Sequence, residues 1–215
     1  MLKYFSPVIV LIFISCSGSK PKMLLPEKVS PEIYEVLLEN EIVKVMKVSF
    51  APGQEDNMHD HYPFTGYLVD GGKAQVTMPD GKINEREFPS GFIAHNGNGI
   101  RHKVKNIGSN DINIILIEHK KLGSTPTFEN DVNLAAHTVS PDIYEIVHED
   151  ELIKVYTATF PAGSSDNVHE HGMNTAYVIT GGKVEITGPD GSVNERNIPD
   201  GAVLHSDKMV RHQVK

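Results

Sequence analysis

Short stretches rich in β-branched and aromatic residues, broken by glycine, proline and aspartate, recur along the chain, and no stretch sustains a 3.6-residue helical period. Val43–Phe50 reads as a strand that Ala51-Pro52-Gly53 stops. Residues 73–77 alternate, Pro79-Asp80-Gly81 turns, and Ile83–Phe88 returns, which predicts a hairpin. Residues 112–117 are almost continuously apolar, as in a strand covered on both faces. Many short strands joined by such turns predict an all-β sandwich or small barrel.

The pattern occurs twice. Residues 29–105 align without a gap on residues 139–215, a constant offset of 110, and about 45 % of the aligned positions are identical. VSPEIYEV matches VSPDIYEI, PDGKINEREFPSG matches PDGSVNERNIPDG, and GIRHKVK matches MVRHQVK. This is a duplication, with one module over 29–120, a linker over 121–138 and a second module over 139–215. Residues 106–120, including the apolar strand, have no counterpart in the second copy. The second module is therefore expected to be truncated at its C-terminal side, with an unpaired sheet edge. The sequence is read as part of a longer one, with a strand supplied by a partner as the alternative.

Composition adds limits. A formal charge of −8, without a Lys/Arg stripe, argues against nucleic acid as a partner. The single Cys excludes an intramolecular disulfide, so Cys16 must be explained by its place. Lys3 precedes an apolar run over residues 8–14, which falls short of the roughly twenty residues a spanning helix needs. Residues 1–16 resemble a bacterial lipoprotein signal with its lipobox, which implies lipidation of Cys16 and a flexible tether over 17–28. The expected location is the periplasm or cell surface, anchored to a membrane. Ser17 in place of an acidic residue favours the outer one.

The sharpest chemistry lies in the histidines. His59-x-His61 and His169-x-His171 each aim two imidazoles at one face of a strand, while Asp60 and Glu170 point away. His102 and His212, behind Arg101 and Arg211, are the natural third members. Three neutral imidazoles with open positions suit a divalent ion such as Fe(II), Zn, Ni or Mn in a catalytic-type site. A hydrogen-bonded histidine pair without metal is the alternative.

These residues resemble the cupin motifs. For G-x5-H-x-H-x3-E-x6-G the copies read Gly53, His59, His61, Thr65, Gly72 and Gly163, His169, His171, Thr175, Gly182, with only the Glu replaced. For G-x5-P-x-G-x2-H-x3-N the first copy reads Gly91, Gly97, Gly99, His102, Asn106; the second keeps Gly201 and His212 but carries Asp207-Lys208-Met209 at the turn. The resemblance implies a bicupin, two tandem double-stranded β-helix (jelly-roll) barrels with the metal inside. It leaves open a metal-dependent oxygenase, isomerase or hydrolase acting on a small molecule, or a non-catalytic barrel that binds a sugar or acid; a homo-oligomer is compatible with either. Thr65, His95, Thr175 and His205 recur in both copies and are candidate supports around the metal ligands. Arg86 and Arg196 are expected in surface ion pairs, and His119, His137 and His148, which have no histidine counterparts, receive no role.

Overall fold

The computed structural model describes residues 22–121, 131–151 and 153–215. The signal segment, Cys16 and half of the linker (122–130) lie outside the described residues. No helix among those described is long and apolar enough to cross a membrane.

The chain is all-β. The first repeat opens with a helical turn, α1 (Pro26–Val29), followed by β1 (Tyr34–Glu39), β2 (Val43–Phe50), β3 (His59–His61), β4 (Phe64–Asp70), β5 (Gly72–Thr77), β6 (Ile83–Phe88), β7 (Ile93–Asn96), β8 (Ile100–Asn106) and β9 (Ile112–His119). These form two antiparallel sheets in the orders β1-β2-β9-β4-β7 and β3-β8-β5-β6. Strands far apart in sequence are therefore neighbours, as in a jelly roll. The expected hairpin is β5–β6, with Thr77 opposite Ile83.

The apolar strand β9 is the centre of the larger sheet, paired along its whole length with β2 and over most of it with β4. Its Ile112 and Leu116 join Ile33, Tyr34, Met46, Val48, Phe50 and Ala74 in the core between the sheets. Fully burying side chains of this size stabilises by roughly 1.5–3 kcal/mol each. Asn106 closes the turn before β9, donating to the carbonyls of Phe50 (3.0 Å) and Asn110 (2.8 Å) and accepting from Gly108 N (2.9 Å).

The second repeat follows the same order: α2 (Ala136–Val139), β10 (Tyr144–Glu149), β11 (Lys154–Ala158), β12 (His169–His171), β13 (Asn174–Tyr177), β14 (Gly182–Thr187), β15 (Val193–Ile198), β16 (Val203–Ser206) and β17 (Val210–Val214). Its smaller sheet, β12-β17-β14-β15, reproduces the first. Its larger sheet does not. Among the described residues β10–β11 and β13–β16 stand as separate two-stranded pieces, because nothing occupies the place that β9 fills between β2 and β4. The unpaired edge expected from the sequence is therefore present, on β11 and β13. The core thins accordingly: among the described residues of this repeat only Ala135, Ala136 and Tyr144 are buried hydrophobics.

One surface expectation needs correction. Arg86 does not depend on its flanking glutamates, since its guanidinium lies 5.0 Å from the ring centres of both Phe88 and Phe92. A planar cation gains more over two ring faces than in a solvent-screened ion pair.

Candidate metal centre

Each histidine triad follows from strand register. His59 and His61 sit two apart on β3 and face the interior, and His102 on β8 is the direct antiparallel partner of His59. His169, His171 and His212 repeat this on β12 and β17, again with His169 opposite His212. In both triads the candidate ligand atoms lie within 4.8 Å of one another. The intervening Asp60 turns outward, where Arg101 grips its two oxygens through Nε (2.7 Å) and Nη2 (2.6 Å); Arg211 forks onto one oxygen of Glu170, Oε1, through Nε (2.9 Å) and Nη2. These forks clamp β3 to β8 and β12 to β17 beside the triads.

Hydrogen bonds fix which nitrogens are free. His59 Nδ1 donates to the carbonyl of Asn57 at 2.8 Å, so its Nε2 carries a lone pair. His61 Nδ1 meets Glu118 Oε1 at 2.7 Å. When Glu118 is a carboxylate, His61 also donates through Nδ1, and two Nε2 lone pairs then face each other at 2.8 Å. No hydrogen lies between them in that state, and either an ion on the Nε2 atoms or a proton on Glu118 relieves the opposition. The second repeat shows the same convergence, with His169 Nε2 at 2.9 Å from His171 Nε2 and 3.1 Å from His212 Nε2. An ion held at about 2.0–2.1 Å by imidazoles at right angles separates its ligand atoms by roughly 3 Å, so the spacing suits three ligands on one face of a divalent ion.

Burial favours the neutral form of three of these imidazoles. Burial, then the neighbouring histidines, pushes His61 down to about 3 and His102 down to about 2. Burial, and then His169, also lowers His212. Neutral imidazole is the form that ligates.

Behind the first triad lies a network the sequence reading missed. Glu118, on β9, is pushed up to about 7, chiefly by burial and against the pull of Lys44. Lys44 is fully buried, with its ammonium 2.9 Å from Glu27 and 4.0 Å from Glu118. Tyr34 donates to Asp56 (2.7 Å), whose other oxygen accepts from Val104 N (2.6 Å), and the Tyr34 hydroxyl lies 3.3 Å from His59 Nε2. Tyr144, Asp166 and Val214 repeat this set in the second copy. Their recurrence in both copies was the available signal: Ile-Tyr-Glu and Asp-Asn-x-His each occur twice. Glu118 has no such counterpart.

The Thr and His candidates form a separate set. Thr65 on β4 lies opposite His95 on β7, and its hydroxyl is 3.1 Å from His95 Nδ1 and 3.1 Å from His119 Nε2. Thr175 and His205 make the same pair at 2.9 Å. Their hydrogen bonds run to each other, and in the first repeat to His119.

No protein-family model matches the chain, and no curated protein matches it. Among solved structures it is similar to a cupin domain from Bordetella pertussis Tohama I (27 % identity, 41 % of this chain and 93 % of that one, TM-score 0.39). It is also similar to an RmlC-like cupin from Methanocaldococcus jannaschii (15 %, 53 % and 93 %, TM-score 0.35). A third is an uncharacterised protein with a double-stranded β-helix domain from Klebsiella pneumoniae (23 %, 41 % and 77 %, TM-score 0.33). The solved structures that resemble this chain are thus cupin and double-stranded β-helix proteins.

Proposed function

We propose that the chain is a lipid-anchored bicupin on the periplasmic or outer surface of a bacterial membrane, and that each three-histidine set holds a divalent ion. The observation that carries this reading is the convergence of Nε2 atoms at 2.8 and 2.9 Å in both repeats, beside Nδ1 atoms engaged elsewhere. His59, His61 and His102 would hold one ion, and His169, His171 and His212 the other. A bound ion would supply a Lewis acid with open positions for a small molecule. Beside the first set, Tyr34 binds and orients: burial and Asp56 hold its phenol far above the usual tyrosine range, so it stays protonated and donates.

Two activities fit such a site. An oxygenase, isomerase or hydrolase would use the ion on a small-molecule substrate, whereas a binding protein would hold a sugar or acid without converting it. Elemental analysis of the chain, purified without chelator or a histidine tag, tests the common premise beside the double variant His59→Ala, His61→Ala. One ion fewer per chain in the variant than in the parent is the expected outcome. Equal metal content in the parent and the variant, after reloading with Fe(II), Zn, Ni and Mn, would overturn it.

A further inference from the structure

Where the two repeats meet, residues from both converge on a cluster separate from the triads. His95, on the edge strand β7 of the first repeat, faces His148 and Asp150 at the tip of the β10–β11 hairpin of the second. His95 Nε2 and His148 Nε2 lie 3.2 and 3.3 Å from the same oxygen, Asp150 Oδ2. The two ring centres are 4.6 Å apart and the ring planes are tilted by 32°. We infer that His95, His148 and Asp150 form a third divalent-metal site, of the Zn(II) class, that staples the second repeat's hairpin to the first repeat.

The spacing favours an ion over simple pairing. Charge-assisted N–H···O bonds shorten to about 2.7–2.9 Å, whereas ligand atoms around a tetrahedral ion at 2.0–2.1 Å sit roughly 3.3 Å apart. Two imidazoles and one carboxylate are an established Zn(II) donor set that leaves a fourth position for water. That position can be filled from solvent, since the His95, His148 and Asp150 side chains are 15, 29 and 35 % exposed.

Each donor is held by a bond away from the ion. Asp150 Oδ1 accepts from Ile153 N at 2.9 Å and fixes the hairpin turn, leaving Oδ2 aimed at the histidines. A β-bulge between Ile146 and His148 re-aims the His148 side chain out of the strand's alternation. His95 Nδ1 meets the Thr65 hydroxyl, which in turn meets His119 Nε2. With His95 donating to Thr65 and Thr65 donating to His119, the His95 Nε2 lone pair points at the carboxylate, a contact that a cation between them makes favourable. Burial, followed by His148, also holds His95 in its neutral form.

The duplication shows what was added. The first copy has Leu38 where the second has His148, and Asn40 where the second has Asp150. Asn40 keeps the turn-fixing role, accepting from Ile42 N and Val43 N, so the turn itself requires no carboxylate.

Equilibrium dialysis of the full chain against Zn(II), with the single variants His148→Ala and Asp150→Asn, tests the site. Both changes lie on the hairpin tip, and Asn retains the turn contact that Asn40 makes, so circular dichroism should show both variants folded. The expected result is one fewer bound Zn(II) per chain in each variant than in the parent, with a smaller rise in melting temperature on adding Zn(II). Equal Zn(II) content in the parent and Asp150→Asn would overturn the inference. If the barrel triads take up no ion, the parent binds one and the variants none, so the two readings fail separately.

Discussion

Glu118 couples the first triad to the rest of its barrel. Its Oε1 holds the ring of His61 from behind at 2.7 Å, and its other oxygen faces the buried Lys44. Carboxylates placed behind a ligating imidazole raise its basicity and fix its tautomer, and losing one costs roughly 10- to 100-fold in affinity. Glu118→Ala is therefore expected to weaken Zn(II) binding by that factor at the first triad and leave the second unchanged. Competition with a chelator of known affinity reads both sites, and equal affinities in parent and variant would reduce Glu118 to a counter-ion for Lys44. The triads themselves were legible in the sequence, because the period of a strand makes His-x-His a shared face and the duplication repeats it. Glu118 was not legible: it lies 57 residues from His61, and only the packing of β9 beside β4 brings it close.

At the scale of elements, the loop leading into β8 positions His61. Gly99 has a φ of +71°, and a Cβ there would stand 2.5 Å from the carbonyl oxygen of His61. Gly99→Ala thus combines a left-handed backbone with a clash against the strand that carries a ligand, and is expected to cost about 1–3 kcal/mol. Thermal melting of the apo chain checks this; an unchanged midpoint would mean that the loop shifts without disturbing β3. The second copy has Met209 at this place, and among the described non-glycine residues none has a positive φ, so its turn takes a different path. Strand identities were readable from turn residues and β-branched runs. The order of the strands was not, since the pairing of β9 with β2 and β4 joins segments some 45–75 residues apart, and local pattern carries no information about such partners.

Across the whole molecule the two repeats are unequal. The first has a five-stranded sheet closed over its core, whereas among the described residues the second keeps the strands flanking the place of β9 without an equivalent between them. Backbone groups that face solvent instead of a partner strand open more readily. Native-state hydrogen exchange of this chain should find the amides of β11 and β13 exchanging at least about tenfold faster than those of β2 and β4. Equal protection would show that the second repeat is stabilised by contacts outside its sheets. The contact between repeats at His95, His148 and Asp150 could not be read from sequence, because His148 and Asp150 differ from their counterparts and the meeting of two repeats leaves no periodic trace.

The open place between β11 and β13 also acts on the second histidine set. His61 and His169 are both buried, but His171, the counterpart of His61, is only half-buried. Greater exposure to solvent raises the local dielectric response and weakens charge–charge interactions. One polypeptide thus carries the same three-imidazole set in two surroundings, the first more enclosed and backed by Glu118, the second more open at His171. Differences between the two sites in affinity or redox potential would report the surroundings, with the identity of the ligands held constant.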